Sequence, residues 1–287
     1  MRIEDQRRSD QIEDRRGMTV GRGVAGGGIG LLVVVLLGLF FGVDLSPLLQ
    51  GGSAPGVSPQ APQQQVATRA PSREDKMADF VSVVLGSTED AWTELFARGG
   101  KAYRKPTLVL FTDAVESACG FAQAAVGPFY CPADQKLYID LAFYRDLQDR
   151  FRAPGDFAQA YVIAHEVGHH VQNLLGIADQ VRAAQSRVGQ RQAAALSVRM
   201  ELQADCLAGI WASHANRTKR ILEPGDIEEG LNAAAAIGDD RIQMASRGYV
   251  SPESFTHGSS QQRVRWFRRG LETGDIAACD TFKVAQL

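Results

Sequence analysis

Three regimes of hydrophobic patterning divide the chain. Residues 1–22 interleave Arg7, Arg8, Arg15, Arg16 and Arg22 with Glu4, Asp5, Asp10, Glu13 and Asp14, a composition in which no core is expected to form. From Gly23 to Val43 no ionisable residue occurs. At about 1.5 Å of rise per residue that run matches a hydrocarbon layer of about 30 Å, so residues 23–43 are predicted to form one transmembrane helix. The run ends in Val43-Asp44-Leu45 rather than in an Ala-x-Ala-like cleavage site, which favours an uncleaved anchor. Residues 44–72 are rich in Gly, Pro, Gln and Ser and read as a flexible linker. A folded domain is expected over residues 73–287.

Within that domain the apolar spacing alternates between helical and extended. Met77, Phe80, Val81, Val84 and Leu85 fall on one helical face that Gly86 is expected to end, and Ser87 or Thr88 then caps a second helix carrying Trp92, Leu95 and Phe96. Thr107 to Phe111 reads as a strand. Phe129-Tyr130-Cys131 and Leu137-Tyr138-Ile139-Asp140 flank a turn-like insert and read as a hairpin. Leu141 to Arg152 is predicted helical until Pro154-Gly155, Asp156 is the expected cap of the next helix, and a long helix is predicted over about Gln192 to His214. Asp226 to Arg247 reads as a packing helix with a candidate break at Gly238-Asp239-Asp240, whose acids are expected in solvent. The last helix carries Val264, Trp266, Phe267 and Leu271 on one side, with Arg263, Arg265, Arg268 and Arg269 as an exposed or salt-bridged face.

Charge and cysteine usage narrow the function classes. A formal net charge of -2 gives no electrostatic case for nucleic acid. Arginines crowd the amino-terminal flank of the apolar run, which places Met1 in the cytoplasm and the domain outside. In an oxidising compartment the four cysteines suit two disulfides. Three pairings are open. Cys119 with Cys131 closes a short loop at the hairpin and Cys206 with Cys279 pins the terminus, so this pairing is preferred.

The chemistry centres on His165-Glu166-Val167-Gly168-His169. Histidines four residues apart on a helix share a face and can ligate one metal, and Glu166 can accept a proton from an attacking water. A catalytic zinc takes three protein ligands and leaves one position open. The metzincin pattern would supply a histidine at position 175 and a glycine at 172, where the chain has Leu175 and Gln172. Glu201, in Glu201-Leu202-Gln203-Ala204-Asp205, lies on a following helix with Asp205 one turn on, so Glu201 is the candidate third ligand and Asp205 its neighbour in support. His214 is a weaker competitor, lacking a carboxylate four residues later. His170 faces about 100° from His169 and is expected to be a partly buried helix residue. His257 precedes the last helix in a Gly-Ser loop and is a candidate for contact with a developing oxyanion.

His165-Glu166-Val167-Gly168-His169 followed by Glu201-Leu202-Gln203-Ala204-Asp205 resembles the gluzincin arrangement of zinc metallopeptidases. That resemblance implies Glu201 as ligand and Asp205 as acceptor from the far nitrogen of a ligating histidine. Glu13-Asp14-Arg15-Arg16-Gly17, Cys119-Gly120, Gly127-Pro128-Phe129-Tyr130-Cys131-Pro132, Thr256-His257-Gly258-Ser259 and Gln262-Arg263-Val264-Arg265-Trp266-Phe267 are similar to the bacterial, membrane-anchored family of neutral zinc metallopeptidases. The expectation is an α+β, mainly helical zincin-like domain with a small sheet, holding one Zn²⁺ through His165, His169 and Glu201. Glu166 acts as general base on a peptide or protein substrate that can pair with the hairpin strand. The rival reading is a non-catalytic envelope protein of the same fold that binds a partner.

Overall fold

The computed structural model describes residues 1–18 and 75–287. The expected transmembrane helix over 23–43 and the linker over 44–72 lie outside the described residues. Among the described residues no helix is long and apolar enough to cross a membrane. The fold is mixed α and β, mainly helical, with small sheets.

Eight α-helices and six strands follow one another among the described residues. Strand β1 (Ile12–Asp14) precedes α1 (Lys76–Arg98), then come β2 (Thr107–Phe111), β3 (Ala114–Ser117), β4 (Gly120–Gln123), β5 (Phe129–Cys131) and β6 (Lys136–Asp140). The helices α2 (Phe143–Asp149), α3 (Asp156–Leu174), α4 (Ile177–Gln185), α5 (Gln190–Lys219), α6 (Asp226–Ala236), α7 (Asp239–Arg247) and α8 (Ser260–Thr273) complete the chain. The main sheet has the order β1-β2-β6-β5, parallel except for β5 against β6. The predicted hairpin is present as β5–β6, with Phe129 opposite and stacked on Tyr138 at 4.8 Å between ring centroids. One apolar core joins the inner side of the sheet to α1, α3, α5, α6 and α8, and Phe157 stacks on Trp211 at its centre.

The largest departure from expectation is at the amino terminus. Residues 1–17 do not form a separate charged tail. Met1 and Ile12 are buried in the core, and β1 pairs in parallel with β2, Ile12 opposite Leu108. Several of the charges that argued against a core are paired: Arg7 bonds Glu89 at 2.7 Å and Asp90 at 2.8 Å, Arg8 pairs with Asp79, Arg16 with Asp14 and Asp75, and Glu13 with Lys136. Glu89 is fully buried and also accepts from Ser9. Residues 1–17 are thus hydrogen-bonded into the same folded unit as residues 75–287.

The same contact explains a second difference. Gly86 was expected to end a helix, yet α1 runs unbroken from Lys76 to Arg98. A Cβ at Gly86 would stand 2.6 Å from the Arg7 carbonyl oxygen, so the missing side chain makes room for the incoming segment rather than stopping the helix. Two smaller expectations also change. Gly155 rather than Asp156 is the N-cap of α3, and Glu229 accepts from the Phe157 backbone N–H in place of a local cap. The candidate break at Gly238 is real, separating α6 from α7, but Asp239 is wholly buried rather than solvated.

Both preferred disulfides are formed, Cys119–Cys131 and Cys206–Cys279. The first ties the turn between β3 and β4 to β5. The second ties α5 to the carboxy-terminal segment.

Removing Arg7 leaves part of a buried carboxylate uncompensated. Arg7→Ala is therefore predicted to lower unfolding stability by about 1–3 kcal/mol in urea titration. An unchanged midpoint and slope would contradict the integration of residues 1–17 into the fold.

Candidate metal centre

The two sequence motifs meet where α3 crosses α5. Gly168, between the histidines, faces Ala204, and a Cβ there would lie 2.9 Å from the Ala204 carbonyl oxygen. Glycine at this position lets the helix axes approach closely, which brings side chains from both motifs to one point. His165 Nε2 lies 3.2 Å from Glu201 Oε2, and His169 Nε2 lies 3.4 Å from Glu201 Oε1. One donor atom from each of the three residues falls within 4.8 Å of the others. Donors held about 2.0–2.2 Å from a tetrahedral zinc stand about 3.3–3.6 Å apart, so the two histidine–Glu201 distances are close to that spacing, and the trio offers the N, N, O chemistry that zinc takes.

The far nitrogen of each imidazole is also held. His165 Nδ1 is 2.8 Å from Asp205 Oδ1, which assigns its proton to that side and directs Nε2 to the trio. Asp205 accepts in addition from the Tyr161 hydroxyl and from Arg263 through Nε and Nη2, both at 2.9 Å. His169 Nδ1 is 2.9 Å from Gln172 Oε1. Gln172 Nε2 donates to the Met200 carbonyl at 2.7 Å and to Gln203 Oε1 at 3.0 Å, and Gln203 Nε2 donates to the Cys279 carbonyl at 3.1 Å. The second imidazole is thus linked through two glutamines to the segment tethered by the Cys206–Cys279 disulfide. Sequence reasoning anticipated Asp205 and missed Tyr161, Gln172, Gln203 and Arg263. Gln172 had a local signal, three residues after His169 on the same helical face. Arg263 had no signal that named its partner: of the two expected states, exposed or salt-bridged, it takes the second, paired with Asp205 and only 2% exposed.

Electrostatics at the trio favour a cation. Burial pushes the His165 imidazole down, but the charge and hydrogen bond of Asp205, with Glu201, outweigh it and raise its pKa to about 10. Burial likewise opposes charge on His169, and Glu201 raises it. Burial works against the Glu201 carboxylate, yet His169 and His257 hold it well below the usual carboxylate range. Burial raises Glu166, partly offset by the two histidines.

A cleft of about 520 Å³ opens onto this point, lined by His165, Glu166, His169, Glu201 and His257 together with Phe129 and Tyr130 of β5. His257 reaches it from a loop wrapped around the buried Asp239, whose Oδ2 accepts from the backbone N–H groups of Thr256, His257 and Gly258 at 2.7, 2.6 and 3.0 Å. Asp239 Oδ1 is 3.2 Å from His257 Nδ1, fixing the ring. The remaining histidines lie elsewhere. His170 is fully buried, bridging Tyr130 Oη at 3.0 Å and the Arg104 carbonyl at 2.6 Å, and burial lowers its pKa to about 4. His214 sits against Glu94 at 2.9 Å, away from the trio. A second acidic group, Asp156, Asp226 and Glu229, faces the Met1 ammonium, which is 2.7 Å from Asp156 Oδ2.

Residues 1–282 match the family described as "Putative neutral zinc metallopeptidase". The "Uncharacterized protein YpfJ" of Escherichia coli K12 is 51% identical over 292 residues, covering 98% of this chain and 99% of that protein. The "Uncharacterized protein Rv2575" of Mycobacterium tuberculosis H37Rv is 45% identical over 216 residues, 71% of each chain. No solved structure matches. With a family match over nearly its whole length and half its residues identical to those of a full-length relative, the chain belongs to the putative neutral zinc metallopeptidase family.

Proposed function

We propose that this protein is a zinc-dependent peptidase whose water-activating centre is formed by His165, His169, Glu201 and Glu166. The observation that carries the reading is the convergence of three donors, two imidazoles and the Glu201 carboxylate, with a second carboxylate, Glu166, that lines the same cleft. A zinc ion in that trio supplies Lewis-acid polarisation and makes water acidic near neutral pH. His165 and His169 present their Nε2 atoms, held from behind by Asp205 and Gln172. Glu166, half-buried and with its pKa raised by that burial, accepts the proton of the attacking water and returns it to the leaving amine. His257, oriented by Asp239, donates to the oxyanion that develops on the scissile carbonyl. Strand β5 is the last in the sheet order and borders the cleft, so an extended peptide can add along it.

The two disulfides support a domain in an oxidising, extracytoplasmic compartment, with residues 1–17 beside it.

The reading predicts that wild type and Glu166→Gln both bind one zinc, and that only wild type cleaves unfolded casein or peptides, with the variant reduced by 100-fold or more. Among peptide substrates, N-methylation of an amide facing β5 is predicted to depress cleavage. Equal cleavage by wild type and Glu166→Gln sinks the mechanism, and zinc binding by both with cleavage by neither favours the partner-binding alternative.

A pH dependence follows from the His165 proton. The metal-free site holds that proton up to about pH 10, whereas ligation needs the neutral ring, so zinc displaces it at pH 7. The loaded site binds fewer protons, and raising pH therefore favours loading, by about tenfold per pH unit for each proton released. Calorimetry in buffers of different ionisation enthalpy checks this; a binding heat independent of buffer contradicts it.

A further inference from the structure

Arg263 is a fully engaged cation in the interior. Its Nε and Nη2 form a two-pronged bond to the Asp205 carboxylate, and its Nη1 donates to the Ile237 carbonyl at 3.2 Å, at the end of α6. The residue is carried by α8, whose start is fixed by a capping box between Ser259 and Gln262. Two glycines then seat α8 directly on α5. A Cβ at Gly270 would collide with the Cys206 carbonyl oxygen, and one at Gly209 with that of Phe267. This close seating sets the guanidinium beside Asp205 rather than in solvent.

Stability alone does not account for a buried arginine at this point. Replacing a buried ion pair by apolar residues of similar size is often neutral or stabilising. What the pair does here is geometric. Asp205 Oδ1 must accept from His165 Nδ1 in the ring plane that directs Nε2 at Glu201. A carboxylate on a short side chain can rotate, and the planar fork of an arginine is the one side-chain donor that fixes both of its oxygens at once. Nothing on α3 or α5 performs that function: Tyr161 reaches Oδ1 alone.

We propose that Arg263 is a positioning residue of the metal centre, holding the Asp205 carboxylate so that the His165 ring keeps the orientation and tautomer that ligation requires. The inference rests on the reading of His165, His169 and Glu201 as a zinc site, and it adds a requirement from a helix nearly 100 residues away in the chain. Arg263 does not contact the metal or the substrate in this role; it acts through Asp205.

The experiment is a zinc titration against a chelating indicator at pH 7 with the full-length protein, alongside near-UV circular dichroism. The variants are Arg263→Lys, Arg263→Met, Asp205→Asn and the Asp205→Asn/Arg263→Met pair. Arg263→Met is predicted to weaken zinc binding by about 10–100-fold, the range seen when outer partners of ligating histidines are removed. Arg263→Lys recovers part of that loss, because it keeps the charge without the fork. The double variant binds zinc no more than about threefold worse than Asp205→Asn alone, since coupled residues do not add. At saturating metal, the cobalt-loaded Arg263→Met protein shows an altered visible absorption band while its near-UV spectrum matches wild type.

Wild-type zinc affinity in folded Arg263→Met overturns the proposal, as do single losses that multiply in the double variant. If Arg263→Met does not fold, Arg263→Lys against wild type and the double variant against Asp205→Asn decide by the same criteria. Failure of wild type itself to bind zinc removes the metal-centre reading, and so is distinguishable from failure of Arg263 to matter.

Discussion

A carboxylate removed from water costs several kcal/mol unless its lone pairs are met, and Asp205, wholly buried, has donors converging on it from two other helices. His165 and Tyr161 come from α3, Asp205 itself from α5, and Arg263 from α8. Burial works against its charge, but Arg263 first and His165 next hold its pKa below the usual value. That satisfied charge is why three helices remote in sequence share one crossing point. It fixes the face of α3 on which both histidines stand, and therefore the position of the trio. The packing around it follows the same demand: Gly168 lets α3 meet α5, and Gly209 with Gly270 lets α8 meet α5.

The trio itself is unbalanced in charge, and the proposed zinc ion would balance it. Two imidazoles face Glu201 and Asp205, with Glu166 close by, and the histidines respond by holding protons above their ordinary range. In a low-dielectric site a divalent cation answers the same field more completely than protons do. The cleft then offers a base on one side, Glu166, and on another His257, an imidazole whose own charge Glu201 and Asp239 favour against burial. Groups with opposed tendencies around one point are what proton transfer to and from a peptide bond requires.

How far the sequence discloses this depends on the range of each interaction. His165, Glu166 and His169 are legible because one helix dictates their spacing, and Glu201 with Asp205 because a second helix repeats the period. The helices and the β5–β6 hairpin are legible from apolar spacing, and both disulfides from the compartment and the loop they close. Arg263 is not legible, because an arginine on an amphipathic helix looks the same whether its partner is water or an acid 58 residues earlier. Residues 1–17 mislead for a related reason. Charge density predicts disorder when the charges face water, but Arg7, Arg8 and Arg16 face acids on and before α1 that the pattern of residues 1–22 does not display. Gly86 is read as a helix stop for want of that same incoming segment.

The proposed function requires one zinc ion between α3 and α5. Anomalous scattering recorded at the zinc edge from crystals of the full-length protein tests it most directly. One strong peak is expected, about 2.0–2.2 Å from His165 Nε2, His169 Nε2 and a Glu201 carboxylate oxygen, with a fourth position open to solvent. A peak at the Asp156, Asp226 and Glu229 group instead, or a site closed by a fourth protein ligand, would contradict it.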